Sequence, residues 1–459
     1  MSSELAESKI RRWAERLWAF FHTAVVVPLI LGLISIAVVG RVIDWLTGPK
    51  AYFAYVVGDF SDPNVQRFWH EVDDKRNSGF SIGGTDIKIL PLSAKERDAG
   101  KISSKLSEKV YTLMVIGHTS STASLHALPN YLSAKPPIPV ILPLETNPEL
   151  LPPEVETTYA PVFRLSPTDD RQAEKAADFM LDQNAKAIWV IEDAITNTVY
   201  SRYLVSELVK QIDMKTNRHQ VAIKGDNKCT TENMIATNTG RPAAAQQNCD
   251  FVQSKDRGRV VLWTTNINAP SPDLPKKLNI DWIFVAANPR NCLMISRQIR
   301  NLYDKTLEKK PNLLLSNSCV SEKILSESGD ELKEVFLTHH MLASEYDRGG
   351  YGYRGQQAFS LFKQLIETAD SDFDELKCKR PSIYEYILCH GRQFLGWHSV
   401  SDARSAISAS MQNAAMNGKL FLLGDEEYRF NPDGTIKENT FHVWKVLTLS
   451  NKLNFTDFE

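Results

Sequence analysis

Excess charge of either sign is missing from this 459-residue chain: 53 Lys and Arg face 55 Asp and Glu, for a formal net charge of -2. That removes the positive field a general nucleic-acid binder needs, so no nucleic-acid partner is expected. Common catalytic signatures are missing too, with no P-loop, HExxH pair or kinase set in the chain. The 6 cysteines form no CxxC and no Cys/His cluster at zinc spacing. Neither an internal repeat nor a low-complexity tract is present. These absences predict a protein that is not an enzyme and carries no cofactor or metal.

One stretch lacks charge altogether. Residues 19–39 read AFFHTAVVVPLILGLISIAVV, long enough at about 1.5 Å per residue to cross a ~30 Å hydrocarbon core. Lys9, Arg11, Arg12 and Arg16 precede it, and only Arg41 and Lys50 follow closely. The positive-inside rule then predicts a cytoplasmic tail (1–18), a transmembrane signal anchor (19–40) and a body in the periplasm or outside the cell. A buried core helix and a cleaved secretory signal remain as alternatives, the latter through Ser35-Ile36-Ala37. In an exported chain the cysteines fall into three local couples as candidate disulfides: Cys229–Cys249, Cys292–Cys319 and Cys378–Cys389.

Beyond the anchor, continuous apolar runs alternate with stretches of helical spacing. Strands are expected at 51–60, 87–92, 112–118, 139–145, 161–166, 187–193, 259–265, 281–287, 312–318 and 335–340. Runs of that kind suit parallel strands covered on both faces, so the class is α/β, doubly wound, in two sheets. Residues 224–257 and 397–418 read as insertions.

In such folds ligands bind beyond the carboxyl ends of strands, where helix N-termini present free N–H groups. Three early strand ends carry hydroxyls and helix-capping residues: Ser61-Asp62-Pro63, then Thr119-Ser120-Ser121-Thr122, then Thr146-Asn147-Pro148. Converging on one sheet edge they would satisfy a carboxylate; taken singly they are helix caps. Asp169-Asp170 and Glu426-Glu427 read as solvated carboxylates. His118 reads as a packed, hydrogen-bonded histidine. His339-His340, adjacent on a strand, should point to opposite faces and share no metal.

The segments VIGHTSSTASLHALPNYL, IPVILPLETNPEL, VFRLSPTDDRQAEKAADFML and AIWVIEDAITNTVYSRYLVSEL, in that order and spacing, resemble the type I periplasmic binding proteins. The likeness is to the branched-chain amino-acid-binding group, whose fold also serves as receptor ligand-binding regions. It runs on through NIDWIFVAANPRNCLMISRQIR and GYGYRGQQAFSLFKQLIETA to YRFNPDGTIKENTFHVWKV, covering most of residues 50–447. The resemblance implies two lobes joined by three crossings, with ligand held as they close. The implied bounds are 49–164 and 338–395 for lobe 1, 165–337 and 396–447 for lobe 2, and a C-terminal tail at 448–459.

The same resemblance implies that Ser121 and Thr146, with neighbouring Ser120 and a backbone group of Leu144, hold a ligand carboxylate, and that Tyr200 joins them. Glu145, Asn288 and Ser318 stand where the family carries a small residue, an aromatic and the acid for the ligand ammonium. An α-amino acid with Glu145 as substitute acid, and another small polar or anionic solute, are both open. The implied function is capture of a small ligand for an ABC-type amino-acid transporter and its permease. A receptor subunit signalling through a membrane partner and a non-binding scaffold are the alternatives.

Overall fold

The computed structural model describes residues 13, 18, 21–27, 51–61, 63–76, 81–82, 85–151, 161–193, 198–216, 261–266, 280–304, 310–320, 332, 335–341, 343, 350–378, 400–423, 426–437, 441–449 and 452–458. All ten expected strands form; most are slightly shorter than the apolar runs, whereas the second is wider, over Thr85–Ser93. The first sheet is built from β1 (Ala51–Gly58), β2 (Ser81–Ile82), β3 (Thr85–Ser93), β4 (Thr112–Gly117), β5 (Val140–Leu142) and β6 (Val162–Arg164). Their order is β2-β3-β1-β4-β5-β6, parallel throughout except for the short edge strand β2. Helices α1 (Pro63–Arg76), α2 (Ala99–Glu108) and α3 (Ser121–Ser133) supply the crossovers. Every residue of β4 is buried, which is why TLMVIG reads as an unbroken apolar run.

The second sheet holds β7 (Ala187–Glu192), β8 (Val261–Asn266), β9 (Trp282–Ala286), β10 (Asn312–Leu315) and β11 (Phe336–His339), reached through α4 (Asp169–Asp182), α5 (Thr198–Lys215) and α6 (Pro289–Asp304). The chain returns to the first lobe with α7 (Tyr351–Cys378), α8 (Val400–Met416), β12 (Phe421–Leu423) and β13 (Glu426–Tyr428). It ends in the second with β14 (His442–Leu449) and β15 (Lys452–Asp457). The second sheet's order is β15-β14-β11-β10-β9-β7-β8. The backbone therefore passes between lobes three times: after β6, after β11 and after β13.

Two bounds differ from expectation. Residues 396–447 were assigned to lobe 2, yet Val400, Ala403, Ile407, Met411 and Ala414 of α8 pack in the same core as Met114, Phe163 and Phe362. Buried Arg404 fastens that helix by donating from Nε to the Thr112 carbonyl (2.6 Å) and from Nη2 to the Lys109 carbonyl (3.3 Å). Within the stretch expected as an insertion at 397–418, Val400–Met416 is thus a helix whose apolar stripe covers the first sheet. The expected tail at 448–459 contains β15, which pairs antiparallel with β14 from Leu449↔Lys452 to Trp444↔Asp457.

Cys292 and Cys319 are joined by a disulfide, with Cα atoms 5.6 Å apart. Cys229, Cys249 and Cys389 lie outside the described residues, and the other two couples with them. The 224–257 segment does too. Among the described residues no helix is long and apolar enough to cross a membrane. Of the expected span only 21–27 is described, with Phe21, His22 and Thr23 exposed.

Candidate functional site

Both sheets aim their carboxyl ends at the interlobe crossings, and the expected site residues lie there. On the first lobe β4 closes with Gly117 at φ +114°, where a Cβ would stand 2.2 Å from the Val57 carbonyl oxygen. Only glycine fits that turn. His118 follows, buried as expected, its Nε2 2.9 Å from the Tyr131 hydroxyl, and burial lowers its pKa to about 4. Ser120 caps α3 by accepting from the Ala123 N–H at 3.2 Å and donates to Glu96 Oε1 at 2.7 Å. Those bonds occupy it as a cap on the exposed side. Ser121 is buried, and its hydroxyl accepts from the Asn147 N–H at 3.4 Å. That long bond joins the β4 and β5 loops.

After β5, Glu145 is fully buried but answered locally. It accepts from the Ser124 hydroxyl at 2.8 Å and from the Leu144 N–H at 2.9 Å. Burial pushes its pKa up to about 7 against those two bonds and the Arg164 charge. Its bonding is that of a loop anchor. Thr146 beside it is buried, and its carbonyl accepts the Asp169 N–H at 2.8 Å across the first crossing.

Asp169 corrects the expectation most sharply. Its adjacency to Asp170 at a helix start suggested a solvated carboxylate, yet it is 0% exposed. Neither of its oxygens makes a well-formed hydrogen bond. Burial raises its pKa to about 7, against the Thr146 hydroxyl and the Arg164 charge. Arg164, the last residue of β6, is also fully buried with no hydrogen bond from any guanidinium nitrogen. Burial lowers its pKa, opposed by Asp169 first, then Glu145, Asp433 and Asp170. Arg164 has no place among the sequence expectations, and Asp169 enters them only as a solvated carboxylate. The signal in the sequence is only that Arg164 sits inside the otherwise apolar run at 161–166.

On the second lobe Tyr200 is buried and bonded to Gln172 Oε1 (3.2 Å) and Asn317 Oδ1. Its pKa is raised, by burial first and then by the charge of Asp169, with the hydroxyls of Ser316 and Ser318 nearby. Ser318 donates to the Ala287 carbonyl at 2.7 Å. Asn288 instead caps α6, its Oδ1 accepting from the Asn291 N–H at 2.9 Å, and its own N–H faces Asp193. Ser121, Thr146, Asp169, Tyr200 and Ser318 are therefore linked through shared bonds and charge, whereas Ser120 and Asn288 serve as caps.

Other expectations shift at the second crossing. His339 and His340 do not diverge: their rings stack with centroids 4.5 Å apart, because the strand ends at His339 and alternation ends with it. Among the described residues no group of three or more His, Cys, Asp or Glu could hold a metal ion. Glu426 is tied to Tyr353 (3.3 Å) and Gln357 (3.2 Å) at the third crossing. Two catalytic spacings do occur in the sequence, and the fold explains each without chemistry. Gly79-Phe80-Ser81-Ile82-Gly83 matches GxSxG, but Ser81 lies on the antiparallel edge strand β2 and on no strand-to-helix turn. Gly350-Tyr351-Gly352-Tyr353-Arg354-Gly355 matches GxGxxG, but it opens α7 ten residues past β11. Gly355 there admits α1, since a Cβ would meet the Phe68 carbonyl oxygen at 2.6 Å.

Comparison with solved structures follows this geometry. A leucine-binding protein of Thermotoga maritima superposes with a TM-score of 0.60 at 14% identity, over 88% of this chain and 97% of that one. A solute-binding protein of an ABC transporter from Rhodopseudomonas palustris, in complex with p-hydroxybenzoic acid, gives 0.59 at 13% over 89% and 96%. An ABC transporter substrate-binding protein of Desulfitobacterium hafniense, in complex with Leu, gives 0.52 at 13% over 88% and 99%. No family model matches the chain, and no curated protein matches it. The class defined by two parallel sheets and three crossings is the type I periplasmic-binding-protein fold. Within that class the chain is similar to the branched-chain amino-acid-binding form.

Proposed function

We propose that the protein is a membrane-anchored extracytoplasmic solute-binding protein that captures a small α-amino acid between its lobes and passes it to an ABC-type permease. The observation that carries the amino-acid reading is the buried charge balance at the first crossing. One guanidinium, Arg164, faces two fully buried carboxylates, Glu145 and Asp169; Glu145 has two hydrogen bonds of its own, whereas Asp169 has only the Thr146 hydroxyl beside it. A buried carboxylate so thinly supported is costly, and an ammonium group beside Asp169 answers it. On the same lobe edge the Ser121 hydroxyl, whose proton is not used in its bond with the Asn147 N–H, is available to the ligand carboxylate. An aromatic acid such as the one bound in the Rhodopseudomonas neighbour would use that hydroxyl and leave Asp169 unanswered.

Binding then works by differential affinity, with ligand contacts from both lobes favouring the closed state that a permease reads. The apolar 19–40 segment and the basic residues before it support a single-pass anchor in the cytoplasmic membrane, N-terminus inside and body outside. Thermal unfolding of the full chain against amino acids, their deaminated carboxylates and hydroxybenzoates tests the reading. A bound amino acid at 100 times its Kd stabilises by about 2.7 kcal/mol. Stabilisation only by ligands without an ammonium group would refute the amino-acid assignment.

A further inference from the structure

His339 closes β11, and its side chain holds the backbone that follows. A backbone N–H can only donate, so the 3.1 Å bond between the Met341 N–H and His339 Nδ1 fixes that nitrogen as an unprotonated acceptor. The ring is therefore neutral, with its proton on Nε2. His339 and Met341 are both 0% exposed, so water has no access to the bond in this arrangement. The ring stacks on the Trp444 indole of the second lobe, centroids 4.2 Å apart, and on the His340 ring at 4.5 Å.

The groups packed around this pair are poorly suited to a second positive charge. From α7 come the Tyr351 ring, 6.2 Å from His339, and Arg354, whose Nη2 donates to the His340 carbonyl at 3.1 Å. From β14 comes His442, the strand partner of His339. Beyond His442, Asp457 of β15 and Lys175 of α4 act on it in opposite senses, and Asp457 accepts the Ala343 N–H at 2.9 Å. On β13, the Tyr428 hydroxyl accepts from Arg354 Nη1 at 3.1 Å and donates to Glu426. Burial first, and the Arg354 charge second, hold the His339 pKa well below the ordinary histidine value. For His340 the same lowering comes from burial, then from His339, Arg354 and His442.

We propose that His339 is a proton-sensitive latch on the second crossing: a proton at Nδ1 removes the acceptor of the Met341 N–H and sets a cation beside Arg354, so acid frees the backbone joining β11 to α7. The described arrangement takes no proton there without losing the Met341 bond. An arrangement in which the crossing parts and water reaches the ring takes the proton freely, so acid favours it. The latch goes beyond the proposed ligand, because it needs only the crossing, one of the three connections between the lobes.

The test is deuterium exchange of the full chain at pH 7.5 and pH 5, read as the protection factor of the Met341 amide. Wild type is compared with His340→Phe and with His340→Phe carrying His339→Asn. Phenylalanine keeps a ring beside His339 and removes the second titrating group. Asparagine keeps an acceptor for the N–H two residues on, as in an Asx-turn, and takes up no proton. A hydrated histidine gains its proton near pH 6.5, so between the two pH values one proton favours the parted form by about 30-fold. The expected result is a fall in Met341 protection of about 30-fold in His340→Phe and at least as much in wild type. The variant carrying asparagine should show no fall. An unchanged protection factor in wild type or in His340→Phe overturns the proposal, as does an equal fall in the asparagine variant. The amides of β4 supply the control. Protection of Met341 equal to theirs would mean that it opens only when the whole chain unfolds, and that also overturns a local latch.

Discussion

Replacing His118 by Asn should change how the protein's stability responds to acid, by an amount the structure sets. The folded imidazole stays neutral down to about pH 4 because burial disfavours its charge, while an unfolded histidine takes up its proton near pH 6.5. Between those values the unfolded state binds more protons, so the histidine's contribution is intact above pH 6.5 and is lost as pH falls toward 4. At about 1.36 kcal/mol per pH unit, the loss reaches about 2 kcal/mol by pH 5. Glu145 and Asp169 act in the opposite sense. Their folded pKa values of about 7 exceed the usual carboxylate range, so they add stability as pH falls from about 7 toward 4. Wild type alone therefore shows a compensated profile, and the difference between variant and wild type isolates the histidine. Urea unfolding of both at pH 7.5 and pH 5 measures it. Losses of packing against Tyr131 appear at both pH values and cancel. The expected result is that His118→Asn gains about 2 kcal/mol on wild type at pH 5 relative to pH 7.5. A difference that does not move with pH would refute the claim that His118 is buried and neutral.

Three further outcomes follow from particular contacts. Asp169→Asn should weaken binding of an α-amino acid about 10- to 100-fold, from the ~1.5–3 kcal/mol of a charge-assisted bond, and spare a deaminated carboxylate in the same titration. Arg404→Met should cost about 1.5–3 kcal/mol, since the Thr112 and Lys109 carbonyls lose their donor; the loss, read by urea unfolding, checks that α8 belongs to the first lobe. Replacing Cys292 and Cys319 together by Ala should cost about 3–4 kcal/mol, the loop-closure value for a separation of 27 residues.

Much of the scaffold was legible because parallel strands buried on both faces must be apolar throughout, and all ten runs from 51–60 to 335–340 formed strands. Lobe membership after β11 was not. Nothing local in VSDARSAISASMQNAAM says which sheet its apolar stripe covers, and Arg404 reads as a surface charge until its two carbonyl partners are seen. That Ser121 and Thr146 sit at strand ends was legible, because hydroxyls there have a local signature, and both are buried. Asp169 and Arg164 were not, because their importance lies in being buried with no hydrogen bond, which no spacing encodes. The engagement of Glu145 was not legible either, since its partner Ser124 lies 21 residues earlier in the chain.

The central claim is that a ligand with both a carboxylate and an ammonium group is held at the first crossing. Calorimetric titration of the full chain with whichever amino acid stabilises it most, repeated on Ser121→Ala with Thr146→Ala, tests this directly. The account predicts one ligand per chain in wild type and a loss of affinity of at least about tenfold in the double variant. Undiminished affinity in that variant, or no binding of any amino acid by wild type, would contradict it.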